Sequence, residues 1–142
     1  MSGPGIPEDA TSDALVNTTD LFATVLDLAG APRPANRKTD SVSLTPYFED
    51  PSRASIRDHV YAGLFSTGQG PEAGGFAIRD ARWKMVKTQT VEELYDLSSD
   101  PYETRNLLVN GRSEEEAHVV RELHDRVLRL RGPRAGASGS DG

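Results

Sequence analysis

The groups in this sequence whose types could support chemistry are few: the pair Asp58-His59, the histidines His118 and His124, and a polar glycine-rich loop from Ser66 to Gly75. An aspartate beside a histidine can orient an imidazole or offer metal ligands. Asp58-His59 follows Arg57 at the entry to a strand-like run, with no partner carboxylates nearby in sequence, and reads as a loop-to-strand junction. His118 and His124 lie six positions apart, so they do not share a helix face as an i,i+4 metal pair would. They read as solvated helix residues. No catalytic and no metal-binding residue is assigned on this basis. In the loop, Ser66, Thr67 and Gln69 are the candidates for touching a substrate, because loops on a rigid scaffold are where binding groups concentrate. Glu72 is its one charged group, and a plain surface loop is the simpler reading.

The elements that must position these groups can be read in chain order. Residues 1–16 are rich in Gly, Pro, Ser and Asp and read as a loop. A helix is expected over Asp20 to Ala29, capped near Thr19 and closed by Gly30 and Pro32. Asp20, Thr24 and Asp27 fall on one narrow polar stripe, while Leu21, Phe22, Val25, Leu26 and Leu28 cover the remaining circumference. Such a helix calls for burial. From Ala31 to Arg57 the sequence is Pro-rich and irregular, with a short helical turn expected over Ser43 to Phe48. Strand-like segments follow at His59–Phe65, Phe76–Arg79, Trp83–Thr88 and Glu93–Leu97, and their close spacing predicts an antiparallel sheet.

After the last strand, Ser98-Ser99-Asp100-Pro101 predicts a corner into a helical turn, with Asp100 as N-cap and Glu103 reaching back to it. The final helix carries a capping box of Ser113 with Glu116, acidic residues at its start and arginines at its end. Val120, Leu123, Val127 and Leu130 form its apolar face, which should pack on the sheet. Gly132-Pro133 ends it, and residues 132–142 have the small polar composition of a disordered tail.

Sixteen Lys and Arg against 22 Asp and Glu leave a net charge of −6, and no basic stripe offsets it. Nucleic acid is therefore not an expected partner. No apolar run approaches the ~20 residues needed to span a bilayer. There is no cysteine, which removes disulfides and thiolate metal sites.

The arrangement Leu94-Tyr95-Asp96-Leu97, then Asp100-Pro101, Glu103 and Asn106-Leu107, resembles the C-terminal signature of the sulfatases, formylglycine-dependent sulfuric ester hydrolases of the alkaline-phosphatase-like superfamily. Gly3 to Ile6, Val16 to Gly30, Asp40 to Pro46, Phe76 to Arg79 and Trp83 to Val86 resemble the same family in the same order. The resemblance implies an α/β fold, α+β within this stretch. Residues 1–57 would be the end of the alkaline-phosphatase-like catalytic domain, and residues 58–131 a subdomain with a four-stranded antiparallel sheet packed by the C-terminal helix. It also implies that the parent enzyme uses calcium or magnesium and a formylglycine made within a Cys/Ser-x-Pro-x-Arg motif. No residues here match that motif, so the chain is expected to hold no cofactor and to be inactive alone.

The partner so implied is an N-terminal catalytic portion, in cis or in trans. A free-standing interaction module derived from a sulfatase is the alternative. Self-association through the apolar helix 20–29 is expected if nothing covers it.

Overall fold

The computed structural model describes residues 6–36, 39–64 and 74–132. The chain divides between Val60 and Tyr61 into two compact units. The first contains α1 (Asp20–Leu28) and α2 (Thr45–Glu49). α1 starts after Thr19, which makes no side-chain cap bond. It closes as expected: Gly30 has φ +62°, its N–H donates to the Asp27 carbonyl, and the Ala31 N–H donates to that of Leu26. This is a Schellman ending, and it needs the left-handed residue that glycine supplies without strain. α2 carries Pro46 in its first turn, where the missing N–H costs nothing. It buries Tyr47, whose hydroxyl accepts the Ile56 N–H at 2.6 Å.

The second unit is a sheet in sequential order β1 (Val60–Gly63), β2 (Phe76–Arg79), β3 (Trp83–Lys87) and β4 (Glu92–Asp96), followed by α3 (Glu114–Arg131). β2 pairs antiparallel with β3, placing Ile78 opposite Met85. β3 pairs antiparallel with β4, placing Met85 opposite Leu94. Period-two alternation then gathers Phe76, Ile78, Met85 and Leu94 on one face. They form a single core with Val119, Val120, Leu123 and Val127 of α3. Ile78, Met85 and Leu94 are fully buried.

Between β2 and β3 the Asp80 carboxylate accepts the Arg82 N–H at 2.8 Å and the Trp83 N–H at 2.6 Å. An aspartate side chain closes this turn. Gly75 is required for another reason, since a Cβ there would collide with the Lys87 carbonyl oxygen.

The capping box of α3 is present. The Glu116 N–H donates to Ser113 Oγ at 3.2 Å, and the Ser113 N–H donates to Glu116 Oε2 at 2.7 Å. Its buried face differs by one position from the expected one: Val119 joins the core, and Leu130 is exposed. The corner at Asp100 differs more. Asp100 accepts the N–H groups of Thr104 at 3.0 Å and Arg105 at 2.9 Å, two residues later than an N-cap would,. Glu103 adopts φ +57°, which stops a helix from propagating, and its carboxylate takes the Lys84 ammonium at 2.6 Å instead of the cap. The Asp-Pro-x-Glu sequence therefore builds a carboxylate-bound turn tied to β3.

Candidate functional site

In the N-terminal unit α1 buries two of its three polar-stripe residues and leaves Asp27 at the surface. Asp20 and Thr24 are fully buried with Ala23. The Asp20 carboxylate accepts the N–H groups of Asn17 at 2.8 Å and Val42 at 2.9 Å, and Arg57 grips both its oxygens. Arg57 also donates to the Asp40 carbonyl. Thr24 Oγ1 donates to the Asp20 carbonyl at 2.7 Å and accepts the Leu44 N–H at 2.9 Å. Ser41 Oγ donates to the Thr19 carbonyl at 2.7 Å and accepts the Ala23 N–H at 2.8 Å. The segment Asp40 to Leu44 is thus stitched to the helix through hydrogen bonds.

Burial by itself would push the Asp20 carboxyl up. The Arg57 guanidinium and the Val42 and Asn17 N–H groups outweigh it and hold the carboxyl below its ordinary range,. A carboxylate this saturated has no free lone pair for proton transfer. It is an anchor.

In the C-terminal unit one carboxylate collects two cationic groups and a histidine. Glu92 Oε1 contacts the Lys87 ammonium at 3.0 Å and His124 Nε2 at 2.9 Å, and Oε2 contacts Arg112. Burial would raise this carboxyl, but His124, Lys87 and Arg112 together lower it to about 2,. Because the folded value lies below the ordinary ~4.3 of a glutamate, the stabilisation is fully present above about pH 4.3 and lost as the pH falls toward 2,. Urea midpoints followed by Trp83 fluorescence should show the native chain ahead of Glu92→Gln at pH 7, with the gap shrinking by pH 3. A gap independent of pH would refute the linkage.

The sequence-derived candidates fall as follows. Ser66, Thr67 and Gln69 lie outside the described residues. Asp58 and His59 contact each other through Asp58 Oδ1 and His59 Nδ1, immediately before β1, as a loop-to-strand junction should. His118 is exposed and 3.6 Å from Glu122. His124 is not the solvated residue expected; besides Glu92 it meets the Phe76 ring edge-on at 5.7 Å. Among the described residues no three His, Cys, Asp or Glu side chains are placed to share a metal ion. The described residues therefore do not fit the divalent cation that the sulfatase resemblance implies for the parent enzyme.

The family described as N-sulphoglucosamine sulphohydrolase, C-terminal, matches residues 3–132. The chain belongs to this sulfatase C-terminal family. Arylsulfatase K of Rattus norvegicus is 32% identical over 115 residues, covering 75% of the chain and 20% of that relative. Choline-sulfatase of Rhizobium meliloti is 32% identical over 127 residues, covering 88% of the chain and 24% of the relative. Among solved structures, a 2-O GAG sulfatase superposes with TM-score 0.67 at 28% identity, covering 92% of the chain and 28% of that protein. The phosphonate monoester hydrolase of Agrobacterium radiobacter superposes with TM-score 0.58 at 26% identity, covering 79% and 24%. The sulfatase C-terminal chain thus spans about a fifth to a quarter of the length of the curated relatives it matches, and its fold is that of alkaline-phosphatase-like enzymes.

Two groups that matter to this fold escaped the sequence reading. Asp20 was visible as a polar residue on an apolar helix, but only the structure pairs it with Arg57, 37 positions away. Glu92 had a clearer signal, since it shares strand parity with Leu94 and so points to the helix-covered face.

Proposed function

We propose that this chain acts as the C-terminal part of a sulfatase, supplying structure to a catalytic portion that carries the nucleophile and metal, and that it does not hydrolyse sulfate esters alone. On this reading residues 1–57 complete the catalytic domain and residues 58–131 form the subdomain that follows it. The single observation carrying the proposal is the family match over residues 3–132. The apolar face of α1 supports it, because Leu21, Phe22, Val25 and Leu28 stand exposed on a helix whose polar stripe is already used. Ser66, Thr67 and Gln69 remain the positions from which this chain would reach a substrate.

Incubating the purified chain with a chromogenic aryl sulfate and calcium or magnesium should give no turnover above a mock purification. Turnover above that level would overturn the proposal. The same assay with the N-terminal catalytic portion of a relative added separates cis from trans. Turnover that appears only on mixing means the two parts work as separate chains.

A further inference from the structure

We propose that the C-terminal unit binds an oxyanion, of the sulfate class, in a cleft between the second half of α3 and the turn joining β3 to β4. The cleft has a volume of about 280 Å³, and its lining includes Phe76, Lys87, Thr88, Gln89, His124 and Arg131. Its charge is unusual for this protein. In a chain of net charge −6, Lys87 and Arg131 line the cleft, and the carboxylate that meets Lys87, that of Glu92, is shared with Arg112 and His124. Among the described residues no carboxylate pairs with Arg131. The cationic groups therefore exceed the negative charge that meets them.

Arginines near a helix C-terminus commonly serve the helix dipole, and Arg129 is explained that way. Arg131 is held differently. Its Nε donates to the Tyr61 hydroxyl at 3.0 Å, and its guanidinium lies 5.3 Å from the Phe76 ring centroid. The contact with the ring and the bond to Tyr61 hold the planar fork over the sheet. A fork held in advance loses little freedom when it takes a tetrahedral or planar oxyanion. Lys87 adds a flexible point charge from β3, while the Thr88 hydroxyl beside it closes the turn by accepting the Thr90 and Val91 N–H groups. The apolar floor of Phe76 and Val127 lowers the local polarity, which strengthens each charged contact. The anion could be free sulfate or a sulfate group carried on a saccharide; the chemistry recognised is the same.

The test titrates the full chain, at constant ionic strength against sodium chloride, with sodium sulfate in one arm and a heparin-derived sulfated disaccharide in the other. Two-dimensional NMR should show saturable shifts confined to Lys87, Thr88, Gln89, His124 and Arg131. Saturation by sulfate alone at the same strength identifies the free ion as sufficient, and tighter binding of the disaccharide identifies a saccharide-borne group. Arg131→Gln and Lys87→Met should each weaken binding about tenfold, the loss of one charge-assisted contact. Glu92→Gln should strengthen it severalfold by removing the competing carboxylate, a gain that a merely loosened fold would not produce. Shifts that rise linearly with salt, scatter over the surface, or persist unchanged in Lys87→Met would show an adventitious ion only and overturn the proposal. If Arg131→Gln does not fold, Lys87→Met, at a half-exposed site, and Glu92→Gln decide the matter.

Discussion

Asp20→Ala should cost the N-terminal unit about 3–5 kcal/mol, the range for removing one partner of a buried ion pair. The Asp20 side chain is 1% exposed and that of Arg57 18%, so the substitution leaves a guanidinium in a poorly solvated place with no counter-charge. It also leaves the Asn17 and Val42 N–H groups without their acceptor, and such orphaned donors are themselves destabilising. Against a domain stability of roughly 5–15 kcal/mol, this is enough to unfold the unit or nearly so. Trp83 reports the other unit, so the measurement should be amide exchange at Ala23, Thr24, Val42 and Leu44 together with far-ultraviolet dichroism in urea. Asp27→Ala is the control, because Asp27 pairs with Arg33 at the surface, where ion pairs contribute little. Asp20→Ala/Arg57→Met should recover part of the loss, since the stranded charge is then gone. Equal protection in Asp20→Ala and the native chain would refute the anchor role.

The native chain, expressed alone, should bind a hydrophobic dye strongly and self-associate with rising concentration. Phe22 is 48% exposed, Val25 60% and Leu28 65%, with Leu21 beside them. Full burial of one such side chain is worth roughly 1.5–3 kcal/mol, so three left about half covered forfeit several kcal/mol that a partner surface could restore. Replacing Phe22, Val25 and Leu28 together by Gln should abolish dye binding and yield a monomer in sedimentation. It should leave exchange protection at Ala23 and Thr24 intact, because the helix is anchored through its other face. A native chain that is monomeric and dye-silent would mean that the face is already covered, and would favour a free-standing module over a part awaiting its catalytic portion.

How much of this was legible beforehand depends on whether the determinant is local. Four strands and the final helix follow from period-two and helical patterning, and the Ser113–Glu116 capping box and the Gly30 ending follow from residues within one turn of each other. These are local rules with few competitors. The Asp100 corner looked equally local, yet Glu103 leaves it for Lys84, 19 positions back, because a charge-assisted bond to β3 competes with a cap the chain could also have formed. The same holds for His124, whose exposure depended on where Glu92 and Phe76 would lie.

The orientation of α1 is the clearest case of a decision made by tertiary structure. Sequence alone determines an amphipathic helix with a narrow polar stripe, and it determines membership of the sulfatase C-terminal family through spaced matches along most of the chain. It does not determine which face turns inward. The hydrophobic effect is non-directional and favours burying the apolar side against any available surface. Within this chain, however, Arg57 and the backbone N–H groups of Asn17, Val42 and Leu44 are the partners within reach, so directional bonds draw the polar stripe inward and leave the apolar face to be covered from outside.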